Sequence, residues 1–575
     1  VRNKEVSDKL YELAEIAEMA GENPFKIKAY NEAARIIENL TIPIEDLTKK
    51  DKLTEIKGIG KGIAEKIQEY LEKGTISKLE ELKKIVPETL LEMGKIPGLG
   101  AKRVKTLYEK LNIKTIDELK GAALAHSIST LDGFGEKLEE NILKSINEIR
   151  DKRNVRFLLG IAYPLASEIV GKLKENSPVD KITVCGSLRR MKETIGDIDI
   201  LVTSKKSEKV MDYFVSMPLV KSINAKGDTK SSIITFEGIQ VDLRVVEPSS
   251  YGAAIQYFTG SKEHNVRLRE IAIKKNLKLN EYGLFDIDSG RKVGGEKEER
   301  IYEILGLQFI PPEMREDRGE IELAQRYEIP ELIKISDIKG DFHVHSNYSD
   351  GSNTIEEMAL YAKSLGYEYI VVSDHAKALG VAHGLSLERF KEQKKEIEQI
   401  NKKVHPFKVF QGVELNILSD GSVDFEDKDL SFFDVCLAGI HTGMNQEESQ
   451  ITKRVIRTLN TKGVRVFVHP TGRIINGRDE YKIDVEKVFE EGKKNKSVFE
   501  INASFERLDL NDVNSKNAVF NYGLKIEIGT DAHSTNSMEN MFYGVGVARR
   551  AWLTKESVIN TMRIKALESY LRGEL

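Results

Sequence analysis

Hydrophobic and polar positions change their period twice along the chain. From residue 1 to about 150, apolar residues recur at spacings of three and four with short polar breaks, which predicts helices joined by tight turns. Further on the runs become strand-like: KITV (181–184), DIDILVT (197–203) and SSIITFEGIQVDLRVV (231–246), in which two apolar runs flank Glu237-Gly238 and predict a hairpin. Beyond residue 340, short β-branched runs alternate with helical stretches, the pattern of a parallel β/α barrel. Between these regions PPEMREDRGEIELAQRYEIPELIKISDIKG (311–340) mixes prolines with charges and reads as a linker. The fold class expected is multidomain, α+β and α/β: a helical amino-terminal region, a mixed centre and a carboxy-terminal barrel.

Composition narrows this picture. A chain of 575 residues is expected to hold three to five domains, with ample length to bury cores. Its two cysteines, Cys185 and Cys436, both lie in apolar runs and are read as small buried hydrophobes, which excludes a disulfide framework or a thiolate zinc site. A net charge of −4 argues against a broad basic surface, so any nucleic-acid contact should be local. No apolar run has the length of a membrane span, and VRNKEVSDKL does not read as a signal peptide. A cytoplasmic protein without a membrane partner is expected.

The first candidate chemistry lies in GSLRRMKETIGDIDILVT (186–203). Side chains at i and i+2 of a strand share a face about 7 Å apart, so Asp197 and Asp199 stand side by side and repel unless a cation separates them. Magnesium, which takes oxygen ligands and leaves room for water and phosphate, is the natural candidate. Gly186-Ser187 ends an apolar strand in a turn able to hold a phosphate, and Arg189 and Arg190 follow. Asp242 lies in a second strand on the face opposite Ile239, Val241, Leu243 and Val245, where a charge is costly unless paired or bound to metal. Three carboxylates would complete a two-metal site for a nucleoside triphosphate.

A turn recurs in the helical region, as IKGIGKGIAEKI from Ile56, IPGLGAKRVKTL from Ile96 and LDGFGEKLEENI from Leu131. Its glycines, Gly58 and Gly60, Gly98 and Gly100, Gly133 and Gly135, allow a tight turn, and the helix start that follows attracts phosphate. Such turns suit DNA grip independent of sequence; a plain helix-packing device is the alternative. The third copy carries Asp132 and Glu136 and fits DNA least well.

Eight of the ten histidines lie beyond residue 340. His343, His345 and Asp350 (DFHVHSNYSDG), His375 (YIVVSDHA), Glu414 (VFQGVELNI), His441 (VCLAGIHTG), His469 (VRVFVHP), and Asp531 and His533 (LKIEIGTDAH) each fall within or just after a β-branched run. Strand ends of a barrel converge on one mouth, so these nine residues are candidate ligands for two or three ions. Imidazole-rich ligation suits zinc, manganese or iron better than magnesium, and phosphoester hydrolysis is the chemistry such ions support. His383 and His405 lie outside the pattern and are expected at the surface.

With YFTGSKEHNVRLRE (257–270) and LNEYGLF (279–285), the carboxylate region resembles the nucleotidyltransferase superfamily and, within it, the family X DNA polymerases related to polymerase beta. The resemblance implies that Asp197, Asp199 and Asp242 hold two Mg2+ or Mn2+ ions, and that Gly186, Ser187 and Arg190 hold the triphosphate. It further implies that Tyr257 and Gly260 line the sugar, and that Asn265 and Arg269 read the minor-groove side of the new pair. Lys262 replaces an acidic residue of polymerase beta and is expected to tighten nucleotide binding. The glycine turns resemble helix-hairpin-helix motifs. NPFKIKAYNEAARII (23–37) resembles the family domain that binds a 5'-phosphate across a gap, with Lys26 and Tyr30 in the phosphate pocket and Lys66 matching the lysine that forms a Schiff base with an abasic sugar. Gly62 stands where the animal enzymes have another pocket lysine, and a solvated lysine is the alternative reading of Lys66.

The histidine region resembles the polymerase and histidinol phosphatase (PHP) domain, with Zn2+ or Mn2+ implied at two or three positions. Polymerase core followed by PHP domain is the order in bacterial and archaeal family X polymerases. The expected divisions are a helical, lyase-like domain (1–80), helix-hairpin-helix fingers (81–150), a palm (151–246), a thumb (247–312), a linker (313–337) and the PHP phosphoesterase barrel (338–575). The function implied is a monomeric DNA-directed DNA polymerase that uses dNTPs to fill short gaps in base excision repair, on gapped or primer-template DNA, with a 3'-5' exonuclease in the barrel. Abasic-site endonuclease or 3'-phosphatase activity would use the same barrel ions, and 5'-dRP lyase activity would use Lys66. The alternatives are a template-independent nucleotidyltransferase with a separate phosphatase domain, or a DNA-end binding scaffold.

Overall fold

The computed structural model describes all residues except 1–2, 39–43, 50–51, 57, 87–89, 91–92, 94–95, 97–98, 132, 136, 144–155 and 575. The chain divides into two units, Val1–Val155 and Arg156–Leu575. The first unit is helical, as its period predicts, with helices that include Asn3–Met19, Pro24–Glu38, Lys61–Lys73 and Ala101–Leu111. Leu10, Leu13 and Ala17 on the first helix share a buried core with Ala33, Ala34 and Ile37 on the second, where the small alanines let the two helices approach closely.

The second unit opens with a five-stranded sheet. Its strands are β1 (Lys181–Val184), β2 (Asp197–Thr203), β3 (Val220–Lys226), β4 (Lys230–Thr235) and β5 (Gln240–Val245), in the order β1-β2-β5-β4-β3. The strand period puts Ile198, Ile200, Val202, Val241 and Leu243 in one core with Ile169 and Phe214 of two covering helices, Leu159–Asn176 and Ser207–Ser216. Asp197, Asp199 and Asp242 stand on the other face. β2 and β5 run parallel in a register that sets Asp199 opposite Asp242.

Next in the chain come helices Tyr251–Thr259, Lys262–Lys274 and Glu298–Ile304 around an antiparallel sheet of β6 (Leu277–Asn280), β7 (Gly283–Asp286) and β8 (Lys292–Gly294). The stretch expected as a linker, 313–337, is instead packed. It contains helix Glu320–Arg326 and buries Met314, Arg315, Glu320, Ile321, Ala324, Leu332 and Ile333. Several of its charges are paired inside the protein, while Arg326 pairs with Glu328 and Lys334 with Glu331 at the surface. Arg315 donates to Glu298 and lies 5.1 Å from the Tyr302 ring centroid and 5.3 Å from that of Phe309, while Glu320 accepts from buried His264 at 2.8 Å.

Seven parallel strands follow in chain order: β9 (Gly340–Val344), β10 (Tyr369–Val372), β11 (Lys408–Asn416), β12 (Val435–Gly439), β13 (Val464–Phe467), β14 (Val498–Asn502) and β15 (Lys525–Gly529). Just past β15 the Ala532 carbonyl accepts from His345 N at 2.9 Å, and Ala532 N donates to the His343 carbonyl at 3.2 Å, so the barrel is nearly closed. One buried core runs from the five-stranded sheet into the barrel. At Gly160, on the sheet's covering helix, an added Cβ would lie 2.2 Å from Cγ of Phe505, so only glycine allows that approach. Cys185 and Cys436 are both buried and free. Among the described residues no helix is long and apolar enough to cross a membrane.

Candidate active sites

The three sheet carboxylates occupy different depths. Asp197 is exposed, Asp199 half-buried and Asp242 buried. Asp242 Oδ1 accepts from Ser232 Oγ at 2.6 Å and Gln240 Nε2 at 3.0 Å, while Lys230 Nζ lies 3.6 Å from Oδ2. Burial, and then the charges of Asp197 and Asp242, push the Asp199 carboxyl up to about 7. Burial and the Asp242 charge likewise raise Asp197. Such crowding of negative charge fits divalent cations, which would relieve the repulsion. Gly186 has φ +65°, and a Cβ there would lie 2.8 Å from Asp199 Oδ2. Glycine is therefore required both for the turn and for the approach of the carboxylate.

A cleft of about 710 Å³ gathers Gly186, Ser187, Arg190, Asp197, Asp199, Gly260 and Lys262, all expected from the sequence. Asp242, which stands opposite Asp199 on the neighbouring strand, and Tyr257, Asn265 and Arg269 are not among its lining residues. Asn265 Nδ2 donates to the Tyr257 carbonyl at 2.7 Å and its Oδ1 accepts from Gln256 Nε2 at 2.6 Å, so its amide is engaged within the helical layer. Arg269 lies one turn further along the same helix and is half-buried. Arg189 is bound up with Glu298 at 2.9 and 2.7 Å and with Thr259 Oγ1 at 2.6 Å, so it joins structural layers and leaves the cleft to Arg190.

All nine expected ligands of the barrel converge at the carboxyl ends of its strands. Glu414 is the hub. Its Oε1 is 3.0 Å from His441 Nε2 and 2.9 Å from His469 Nε2, and its Oε2 is 2.9 Å from His375 Nδ1, 3.3 Å from His343 Nε2 and 3.6 Å from His345 Nε2. Asp531 Oδ1 lies 3.3 Å from His345 Nε2 and 3.6 Å from His343 Nε2. Asp350 approaches His533 Nε2 at 3.4 Å and His375 Nε2 at 3.6 Å.

Although some of these atoms lie within 3.3 Å of one another, no contact of hydrogen-bond geometry satisfies His343 Nε2, either ring nitrogen of His345, His375 Nδ1, His441 Nδ1 or Glu414 Oε2, all of them buried. Burial pushes His345 down to about 3 and His469 down to about 4, so both present neutral nitrogens. Burial alone would raise Glu414, but the surrounding imidazoles hold its carboxyl well below the usual range. Burial would lower His343, His375 and His533, but the neighbouring carboxylates outweigh it and raise these imidazoles instead. Buried imidazole nitrogens without partners crowded against carboxylates are the donor set of a divalent metal site, and three groupings of these residues bring ligand atoms within 4.8 Å of one another. His383 and His405 are exposed.

Sequence reasoning did not find the residues behind this shell. Glu500 on β14 is fully buried; its Oε1 accepts from His343 Nδ1 at 2.6 Å, and its Oε2 accepts the amide of His469. This fixes the tautomer that turns His343 Nε2 toward the cluster. Glu527 faces Glu500 across β14 and β15. The signal in the sequence is an acid inside an apolar run, VFEIN and KIEIG, the same feature that marks Asp242.

In the amino-terminal unit Gly58 and Gly133 take left-handed φ, +99° and +81°. Gly60 and Gly100 cap helices Lys61–Lys73 and Ala101–Leu111 with no side-chain hydrogen bond to the first turn. In the third turn Gly135 opens the helix that carries Glu139, whose buried carboxylate takes the amides of Ile128 and Ser129 at 3.0 and 2.8 Å. Gly98, Asp132 and Glu136 lie outside the described residues. Lys26 is exposed near Glu22 at 3.5 Å, and Tyr30, one turn on, is buried. Lys66 Nζ lies 5.9 Å from the Tyr30 ring centroid and donates to the Gly62 carbonyl at 3.1 Å.

The fold and its two clusters define a class: a nucleotidyltransferase palm and thumb joined to a metal-binding barrel. Comparison with known families agrees, since residues 164–245 match the DNA polymerase beta palm, 254–316 the DNA polymerase beta thumb and 341–504 the PHP domain. Residues 1–76 match a helix-hairpin-helix domain and 88–148 a SAM-like helix-hairpin-helix tandem. The chain is 37% identical to the DNA polymerase/3'-5' exonuclease PolX of Bacillus subtilis (strain 168) over 574 residues, 100% of either chain. It is 25% identical to DNA polymerase lambda of Rattus norvegicus over 349 residues, 55% of this chain and 56% of that one. With DNA polymerase lambda of Arabidopsis thaliana it shares 25% over 350 residues, 54% and 62% of the two chains. The chain belongs to the family X DNA polymerases that carry a carboxy-terminal PHP domain.

Proposed function

We propose that the protein is a DNA-directed DNA polymerase that fills short gaps during base excision repair and shortens 3' ends at its barrel. The observation that carries the first activity is the register of Asp199 against Asp242 beside the Gly186-Ser187 turn. Gapped or primer-template DNA and dNTPs are its substrates. Asp197, Asp199 and Asp242 would hold two Mg2+ or Mn2+ ions, whose charge neutralises the triphosphate and favours ionisation of the primer hydroxyl. Ser187 and the turn amides would hold the triphosphate with Arg190, while Tyr257 and Gly260 would line the sugar and Lys262 would add a cation at the cleft. Asp242 Oδ1 is committed to Ser232 and Gln240, so Oδ2, which faces Lys230 Nζ at 3.6 Å, would accept the primer proton. Asn265 and Arg269 would reach the new pair once Asn265 leaves the Tyr257 carbonyl. Gly58, Gly60, Gly98, Gly100, Gly133 and Gly135 would grip the DNA backbone.

At the barrel the nine ligands would hold two or three Zn2+ or Mn2+ ions, which supply an activated water and stabilise the phosphate undergoing attack. The same site could serve a 3'-phosphatase or an abasic-site endonuclease. Lys66 beside Tyr30, with Lys26 on the neighbouring helix, is the candidate for 5'-dRP lyase chemistry, which borohydride trapping on an abasic substrate tests. The overall reading is tested by incubating labelled gapped DNA with manganese, with and without dNTPs. Extension in one case and shortening in the other is expected. Asp199→Ala should remove only extension and His345→Ala only shortening; equal extension without a template would point to a template-independent transferase.

A further inference from the structure

We propose that Glu316 is a positioning residue for nucleotide binding: held by Arg550 of the barrel, it fixes the Arg190 guanidinium at the polymerase cleft, so the barrel forms part of the nucleotide wall. The inference rests on the reading of Arg190 as a triphosphate contact and extends it to two residues outside the palm.

Arg190, Lys192 and Arg550 all line the cleft that holds Gly186, Ser187 and Asp197. Arg190 Nε donates to Glu316 Oε1 at 3.0 Å, and its NH1 donates to the Thr259 carbonyl. A guanidinium has five N–H donors in a rigid fork. With one donor on Glu316 and one on Thr259, the plane of the fork is set and the other three remain for an anion.

Glu316 is itself anchored from the far side. Arg550, on barrel helix Met541–Arg550 and only 4% exposed, donates through NH1 to the same Glu316 Oε1 at 2.9 Å and to the main-chain carbonyl of Arg190 at 2.8 Å. Its NH2 donates to Asp512 at 2.8 Å, which also accepts from Arg318 at 2.7 Å. Lys192 Nζ lies 3.4 Å from the other Glu316 oxygen. One barrel arginine thus holds both the backbone of Arg190 and the carboxylate that aims its side chain. Burial would raise the Glu316 carboxyl, but Arg550, Arg190 and Lys192 hold it below the usual range, so it stays charged. Without that charge Arg190 keeps a single side-chain tether, and the triphosphate must order a mobile guanidinium on binding.

The test is steady-state filling of a one-nucleotide gap by the full chain as dNTP is titrated, for Arg190→Ala, Glu316→Gln, Arg550→Lys and the double variant Arg190→Ala/Glu316→Gln. Barrel hydrolysis of single-stranded DNA serves as the fold control. Glu316→Gln should raise KM for dNTP about tenfold with kcat within about twofold, as removal of an ordering contact predicts. The double variant should be no worse than Arg190→Ala alone, because the two residues act on one contact. If Glu316→Gln does not fold, Arg550→Lys, which keeps the charge but loses the forked contact, should raise KM in the same way. An unchanged KM in Arg190→Ala overturns the underlying reading of Arg190 and this inference with it. A raised KM in Arg190→Ala with an unchanged or lowered KM in Glu316→Gln overturns this inference alone, as does a loss confined to kcat.

Discussion

Glu298 ties the palm to the thumb through a buried charge network, and its neutralisation has a calculable cost. The side chain is 5% exposed and accepts from Arg189 at 2.9 and 2.7 Å and from fully buried Arg315 at 2.5 Å. Burial would raise its carboxyl; Arg315 and Arg189 instead hold it down at about 2, from an ordinary 4.5. Glu298→Gln keeps the shape and removes the charge, leaving two cations without their counter-ion. The lowered carboxyl corresponds to about 3 kcal/mol at neutral pH, and breaking a buried pair costs about 3–5 kcal/mol. The sign with pH follows from the folded carboxyl titrating below the unfolded one. The stabilisation is complete above about 4.5 and is lost as pH falls through about 2, so the deficit of the variant should be full at pH 7 and close toward pH 2. Because a chain of several domains does not unfold in one step, the measurement is site-resolved amide exchange over the helix Glu298–Ile304. A neutral-pH deficit under about 1 kcal/mol, the range of exposed pairs, would refute the argument, as would a deficit that does not narrow in acid.

Three further outcomes are expected. Gly186→Ala places a Cβ 2.8 Å from Asp199 Oδ2 at a φ of +65°, and primer extension should fall about 100-fold while barrel hydrolysis persists, since small misplacements at a reacting centre cost that much. Glu500→Ala strands His343 Nδ1 and the His469 amide, and manganese or zinc affinity measured by titration should drop about 10- to 100-fold. Gly160→Leu drives a side chain into Phe505, 2.2 Å from the added Cβ, and should destabilise the palm–barrel contact by about 1–3 kcal/mol or more, read as faster limited proteolysis.

Much of the candidate chemistry was legible locally. The apolar period marks each strand, the residues at strand ends mark the barrel mouth, and eight of those residues gather with Glu414 in one cluster. Asp242 was legible too, as an acid inside an apolar run. The same rule applied to VFEIN would have exposed Glu500, but there the acid serves a histidine rather than an expected ion.

The sequence by itself determined which faces are apolar, where the strands end and which side chains able to bind metal those ends carry, because these depend on neighbours a few positions away. Only the tertiary structure decided that Asp199 stands opposite Asp242, that the supposed linker is core, and that a barrel arginine reaches the polymerase cleft. The free energy of a charge depends on what faces it. Arg315 and Glu298, or Arg550 and Glu316, read as solvated until a distant segment of chain is brought across from them and makes them buried pairs.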